Sequence, residues 1–151
     1  SNGLTPFLTT EGGVNSGYMI VQYSAASMVS ENKVLAHPAS VDSIPSSANQ
    51  EDMVSMGTTA ARKSGWIVQN TLSVLADELL TACQAIDIRR RLNTHGQGIS
   101  PVHQKVFDRV RKDIAFYETD RELWQDIQAA EKLVRSGELL EIVHETVSDF
   151  E

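Results

Sequence analysis

Asn49, Gln50, Glu51 and Asp52 stand side by side, where a polar connector meets a long helical pattern. A carboxylate flanked by carboxamides can accept a hydrogen bond from a cation or an N–H and orient a polar ligand. The same group also has a structural reading. Ser47 with Gln50 fits the S-x-x-Q box that opens a helix, and Glu51 and Asp52 suit the positive end of a helix dipole. Spacing alone favours capping and leaves the other reading open: a substrate site with Gln50 as a hydrogen-bonding group and Glu51 as an acceptor. Without further signal, the pattern describes a helical interaction module.

Other chemistry finds little support. His37, His95, His103 and His144 share no i,i+4 spacing and no acidic partner in register, so no metal site is expected. No glycine-rich phosphate loop follows a strand, because no stretch reads as a strand. Cys83 is the lone cysteine. It cannot form an internal disulfide, which fits a reducing compartment, and its apolar helical setting reads as a buried, inert thiol. The net charge of -7 argues against a nucleic-acid binder, which needs a basic face. The one dense basic run, Arg89-Arg90-Arg91, reads as a helix C-terminus offsetting the dipole.

The elements that must position these residues are helical. A chain of 151 residues, 41% apolar and 22% charged, suits one domain with a buried core. Residues 1–13 read as loop, with Pro6 and Gly12-Gly13. No basic segment precedes an apolar run there, so no leader of that type is expected. Residues 14–36 read as a helix rich in small residues and closely surrounded. Gly12 to Ser30 carries no charge but holds Asn15, Gln22, four serines and three glycines, too polar for a membrane span. His37-Pro38 stops that helix, because a residue before proline avoids the α region.

Residues 37–49 form a connector. Residues 50–91 then read as one long helix, with Val68, Leu72, Leu75, Leu79, Cys83 and Ile86 on one apolar stripe. Such a helix spans roughly 60 Å. It outreaches its own chain, so an elongated all-α bundle with partners along the stripe is expected. After a glycine-containing loop, residues 100–149 hold three shorter helices. Ser100-Pro101 opens the first, Asp120 is placed to cap the second, and Gly137 closes it. Leu139, Leu140, Val143 and Val147 face inward in the last.

The longer words are more specific. Asn2-Gly3-Leu4-Thr5-Pro6-Phe7-Leu8, Gly12-Gly13-Val14-Asn15-Ser16-Gly17-Tyr18-Met19-Ile20, His37-Pro38-Ala39-Ser40-Val41-Asp42-Ser43 and Ser47-Ala48-Asn49-Gln50-Glu51-Asp52 occur in this order. So do Asp120-Arg121, Asp126-Ile127 and Leu133-Val134-Arg135-Ser136-Gly137. Together they resemble the C-terminal part of histidine ammonia-lyase, over nearly the whole chain. The resemblance implies an all-α, homotetrameric, cytoplasmic enzyme that converts L-histidine to urocanate and ammonia, with long helices packed in a central bundle. It implies an electrophile, methylidene-imidazolone (MIO), made by cyclising an internal Ala-Ser-Gly.

Residue by residue, Glu51 matches the family's active-site glutamate, with Gln50 and Asn49 beside it on the substrate. Met53 departs from the pattern, standing where many members have histidine. No Ala-Ser-Gly occurs in this sequence, so the chain alone is expected to form no electrophile and to be inactive. The rival expectations are a phenylalanine or tyrosine lyase or aminomutase of the same superfamily, and a helical oligomerisation module without a site. Glu51 discriminates the first rival, since a desolvated carboxylate suits an imidazole and would stand unpaired against a phenyl ring.

Overall fold

A computed structural model describes residues 3–41, 43–92 and 98–147. Asn2, Asp42 and His95, singled out above, lie outside the described residues. The described residues form five α-helices and no strand: α1 (Met19–Leu35), α2 (Gly57–Leu92), α3 (Pro101–Asp113), α4 (Trp124–Ser136) and α5 (Glu138–Thr146). Short 3-10 turns sit at Pro6–Leu8 and Ala39–Val41. None of the described helices is long and apolar enough to cross a membrane. The chain divides into two compact units, one of Ser1–Ala25 with Leu72–Glu151, the other of Ala26–Thr71.

The first unit holds the core. Ala76, Leu80 and Cys83 of α2 pack with Tyr18, Val21, Phe107, Val110, Ile114, Tyr117, Ala130 and Leu133. Ser100 caps α3, its side chain accepting from the His103 N–H, with Pro101 at the first turn. Gly137, at φ 80°, ends α4 in the left-handed conformation that a residue without a Cβ adopts cheaply. Two of the three arginines at the end of α2 are engaged within the chain. Arg90 lies 4.6 Å from the Phe107 ring centroid, and Arg91 pairs with Glu118 at 2.6 Å.

The chain before α1 is not helical, although its pattern suggested a helix from residue 14. Asp120 is the cause. Its carboxylate accepts from the Ser16 N–H at 2.7 Å and the Gly17 N–H at 3.0 Å, while its own N–H donates to Asn15 Oδ1 at 3.0 Å. This turn places Gly17 at φ 57°, where an added Cβ would lie 2.5 Å from the Phe7 carbonyl oxygen. Asp120 therefore does not cap α4. Leu123 occupies that position, with no side-chain cap bond.

The residues of α2 buried within the chain are Ala76, Asp77, Leu80, Cys83, Gln84 and Ile88, while Val68 and Leu75, on the stripe expected to face partners, are exposed. One further expectation changes. Leu140 of α5 and Val147, the extended residue just after it, are exposed at 52% and 37%, so this short helix buries less than its pattern promised.

Candidate functional site

The second unit carries the polar group first singled out. The long helix does not begin at residue 50 but at Gly57. Ser47, Ala48 and Asn49 have φ of 55°, 54° and 66°, a left-handed run that a right-handed helix cannot include. Glu51 instead pairs back on Ser46 in an isolated antiparallel bridge. The Ser46 N–H donates to the Glu51 carbonyl at 2.9 Å, and the Glu51 N–H donates to the Ser46 carbonyl at 3.3 Å. The capping box is thereby replaced: the Gln50 N–H closes a tight turn on the Ser47 carbonyl at 3.1 Å.

A second clamp lies at the base of this loop. Ser43 Oγ accepts from the Val54 N–H at 2.7 Å and donates to the Val54 carbonyl at 3.3 Å. At the tip, the Ser46 hydroxyl donates to Glu51 Oε2 at 3.4 Å. Asn49, Gln50 and Glu51 are thus brought together on one loop, all exposed. Met53 is 78% exposed and packs into no core. A cavity of about 200 Å³ in the same unit lies between His37, Pro38, Ala60, Lys63 and Ile67. There Lys63 Nζ donates to the His37 carbonyl. Among the described residues no cluster of histidine, cysteine and carboxylates suits a metal ion.

Sequence reasoning missed two groups in the first unit and gave a third another role. Asp77 is 2% exposed, and neither of its carboxylate oxygens has a hydrogen-bond partner among the described residues. Burial, and secondarily the charge of Glu131, push its carboxyl up to about 6. Asp77 also borders a cavity of about 610 Å³ with Phe7, Tyr18, Val21, Val74 and Thr81. The signal was present: Asp77 stands at the i−3 position from Leu80, on the face that the packing selects. Gln84 is wholly buried, its carboxamide donating to the Leu8 and Tyr117 carbonyls at 3.1 and 2.9 Å and accepting from the Tyr117 N–H at 3.1 Å. Asp120 is the third. The Ser16 and Gly17 N–H groups hold its carboxyl below the usual carboxylate range. Cys83 is buried, which pushes its thiol up and leaves it a poor nucleophile.

Solved structures of a histidine ammonia-lyase and of aminomutases superpose on this chain. Histidine ammonia-lyase from Trypanosoma cruzi superposes with a TM-score of 0.85 at 44% identity, covering 94% of this chain and 27% of that one. Tyrosine aminomutase from Streptomyces globisporus gives 0.86 at 33% identity, covering 99% and 27%. The family model of aromatic amino acid lyases matches residues 1–112. The chain belongs to the aromatic amino acid lyase family. It is 53% identical over 151 residues to histidine ammonia-lyase 1 of Fusobacterium nucleatum, covering 100% of this chain and 28% of that protein. The chain thus spans a little over a quarter of the length of the curated relatives it matches.

Proposed function

We propose that this chain is the C-terminal portion of a histidine ammonia-lyase, and that its 43–54 loop brings Glu51, flanked by Gln50 and Asn49, to the substrate imidazole. The observation that carries the reading is the gradient of likeness. The chain is 44% identical to a solved histidine ammonia-lyase but 33% identical to a tyrosine aminomutase of the same fold. Glu51 supports it chemically, since its carboxylate can accept from an imidazole N–H or pair with an imidazolium. Opposite a phenyl ring in a water-excluded site it would be left without a partner, at about 1–3 kcal/mol.

Lyases of this kind use methylidene-imidazolone, which supplies an electrophile for the amino group. The residues present here do not form it, because the chain contains no Ala-Ser-Gly. What these residues contribute is binding: Glu51 accepts a proton or hydrogen bond, and Gln50 and Asn49 orient polar groups beside it. The whole enzyme works as a cytoplasmic homotetramer in this reading. A partner helix would then cover Val68 and Leu75, apolar residues of α2 that are 59% and 44% exposed in the single chain.

The test uses a full-length enzyme in which this chain replaces the matching 28% of the Fusobacterium nucleatum lyase. L-Histidine should be converted to urocanate in preference to L-phenylalanine and L-tyrosine. Glu51→Gln should lower kcat/KM at least about 100-fold, the scale of a general acid–base group. A role confined to the loop, through the Ser46 hydroxyl, would cost about 0.5–1.5 kcal/mol of stability and leave turnover almost unchanged. Near-normal turnover in that variant would return Glu51 to the scaffold, and a preference for tyrosine would return the chain to the aminomutases.

A further inference from the structure

The loop that presents Glu51 holds its shape against local backbone preference. Ser47, Ala48 and Asn49 are consecutive residues with Cβ atoms at φ between 54° and 66°, and Met56 follows at φ 51°. Each such residue is held in a sparsely populated conformation, so the run persists only where its surroundings fix it. Two serines supply the fixing within the loop. Ser46 pairs with Glu51 through both backbone groups, and its hydroxyl reaches Glu51 Oε2 at 3.4 Å. Ser43 closes the base.

Residues 43 and 54 do not bond main chain to main chain. The half-buried Ser43 hydroxyl instead takes both the Val54 N–H and the Val54 carbonyl. Only Asp52 and Met53 lie between Glu51 and Val54, so the register of the bridge at Glu51 is set by that one hydroxyl and the tight turn at the tip. An alanine at 43 would leave the Val54 N–H without its 2.7 Å acceptor and the strained tip held only by the Ser46 bridge and the Gln50–Ser47 turn.

We propose that Ser43 is a positioning residue for the lyase reaction, setting the direction of the Glu51 carboxylate through the Val54 clamp. This rests on the reading of Glu51 as the substrate-facing carboxylate. Ser43 touches no substrate in this proposal. It acts only by keeping the loop closed, so its loss and the loss of Glu51 share one pathway and their effects must not add.

Two measurements test it. In the full-length enzyme carrying this chain, Ser43→Ala should lower kcat about tenfold, the scale of a small misplacement of a catalytic group. Ser43→Thr, which keeps the hydroxyl, should restore most of it. Glu51→Gln with Ser43→Ala should be no slower than Glu51→Gln alone. In the 151-residue chain itself, amide hydrogen exchange needs no activity. There Ser43→Ala should speed exchange at Val54 and Glu51 at least tenfold, with exchange in α3 unchanged. Additive losses, no rescue by threonine, or unchanged exchange at Val54 and Glu51 would each overturn the proposal. A Glu51→Gln enzyme with normal turnover would overturn the catalytic reading first, whatever the exchange result.

Discussion

Replacing Asp77 by asparagine removes a charge from the core of the first unit while keeping the shape of the side chain. The wild-type carboxyl is 2% exposed and finds no hydrogen-bond partner among the described residues. Burial and Glu131 push it up to about 6, from an ordinary value of 3.8. In the unfolded chain the group ionises near its ordinary value, so between about pH 4 and 6 the folded state holds a proton that the unfolded state has released. Stability must therefore fall as pH rises through this window. It is fully present below about pH 4 and lost once the folded carboxyl has ionised. At 1.36 kcal/mol per pH unit, the interval from 3.8 to about 6 is worth about 3 kcal/mol. Urea unfolding of wild type and Asp77→Asn, followed by circular dichroism at steps from pH 4 to 8, reads the difference directly. The variant should gain on the wild type by about 3 kcal/mol across that range and then run parallel to it. Glu131→Gln should narrow the gap, because it removes the second cause. A gap that stays flat, or that shrinks as pH rises, would refute the account of Asp77 as a buried, unpaired acid.

Gln84→Ala should destabilise the first unit by about 3 kcal/mol, since it leaves two backbone carbonyls and one N–H of a buried junction without partners; thermal unfolding measures this. Gly17→Ala should cost about 2 kcal/mol or more, because the new Cβ would lie 2.5 Å from the Phe7 oxygen at φ 57°. Asp120→Asn should weaken the wild type's loss of stability on acidification: a carboxyl held below its usual range contributes stability above the unfolded value that is lost as pH falls through the folded one. Titration of melting temperature from pH 6 to 2 would show it, and an unchanged acid limb would remove Asp120 as the anchor.

The helices were legible where packing and termini reinforced one another. Ser100-Pro101 and Gly137 mark their ends through local chemistry, and the structure uses them that way. The start of α2 was not, because Ser47 with Gln50 forms a tight turn as readily as a capping box. Nothing local in Ser-Ala-Asn announces three left-handed residues; the loop is held by Ser43 and Ser46, through partners at Val54 and Glu51 on its far side. Asp120 misled for a related reason. Its position suited a cap, and the donors that claimed it are more than a hundred residues distant. The polar group at Asn49 to Glu51 was visible from its residue types, and the long words that resemble the lyases gave it a chemical reading. Asp77 was overlooked because a periodic stripe of leucines drew the eye to the neighbouring face of α2.

The Asp120 anchor has a consequence for synthesis. Its partners Ser16 and Gly17 lie 104 and 103 residues earlier in the chain. A ribosome adding 5–20 residues per second needs about 5–20 s to cover that distance. For that time the turn before α1 exists without the carboxylate that holds it, and Leu8 waits on Gln84 for most of it. The N-terminal stretch of the first unit must therefore stay open while α2 and α3 are made, and docks only when residue 120 has emerged. Once both are present, loop closure adds little, because each doubling of loop length costs only about 0.6 kcal/mol. The delay belongs to the order of synthesis, and a permuted chain that starts near residue 98 would make the anchor before its partners.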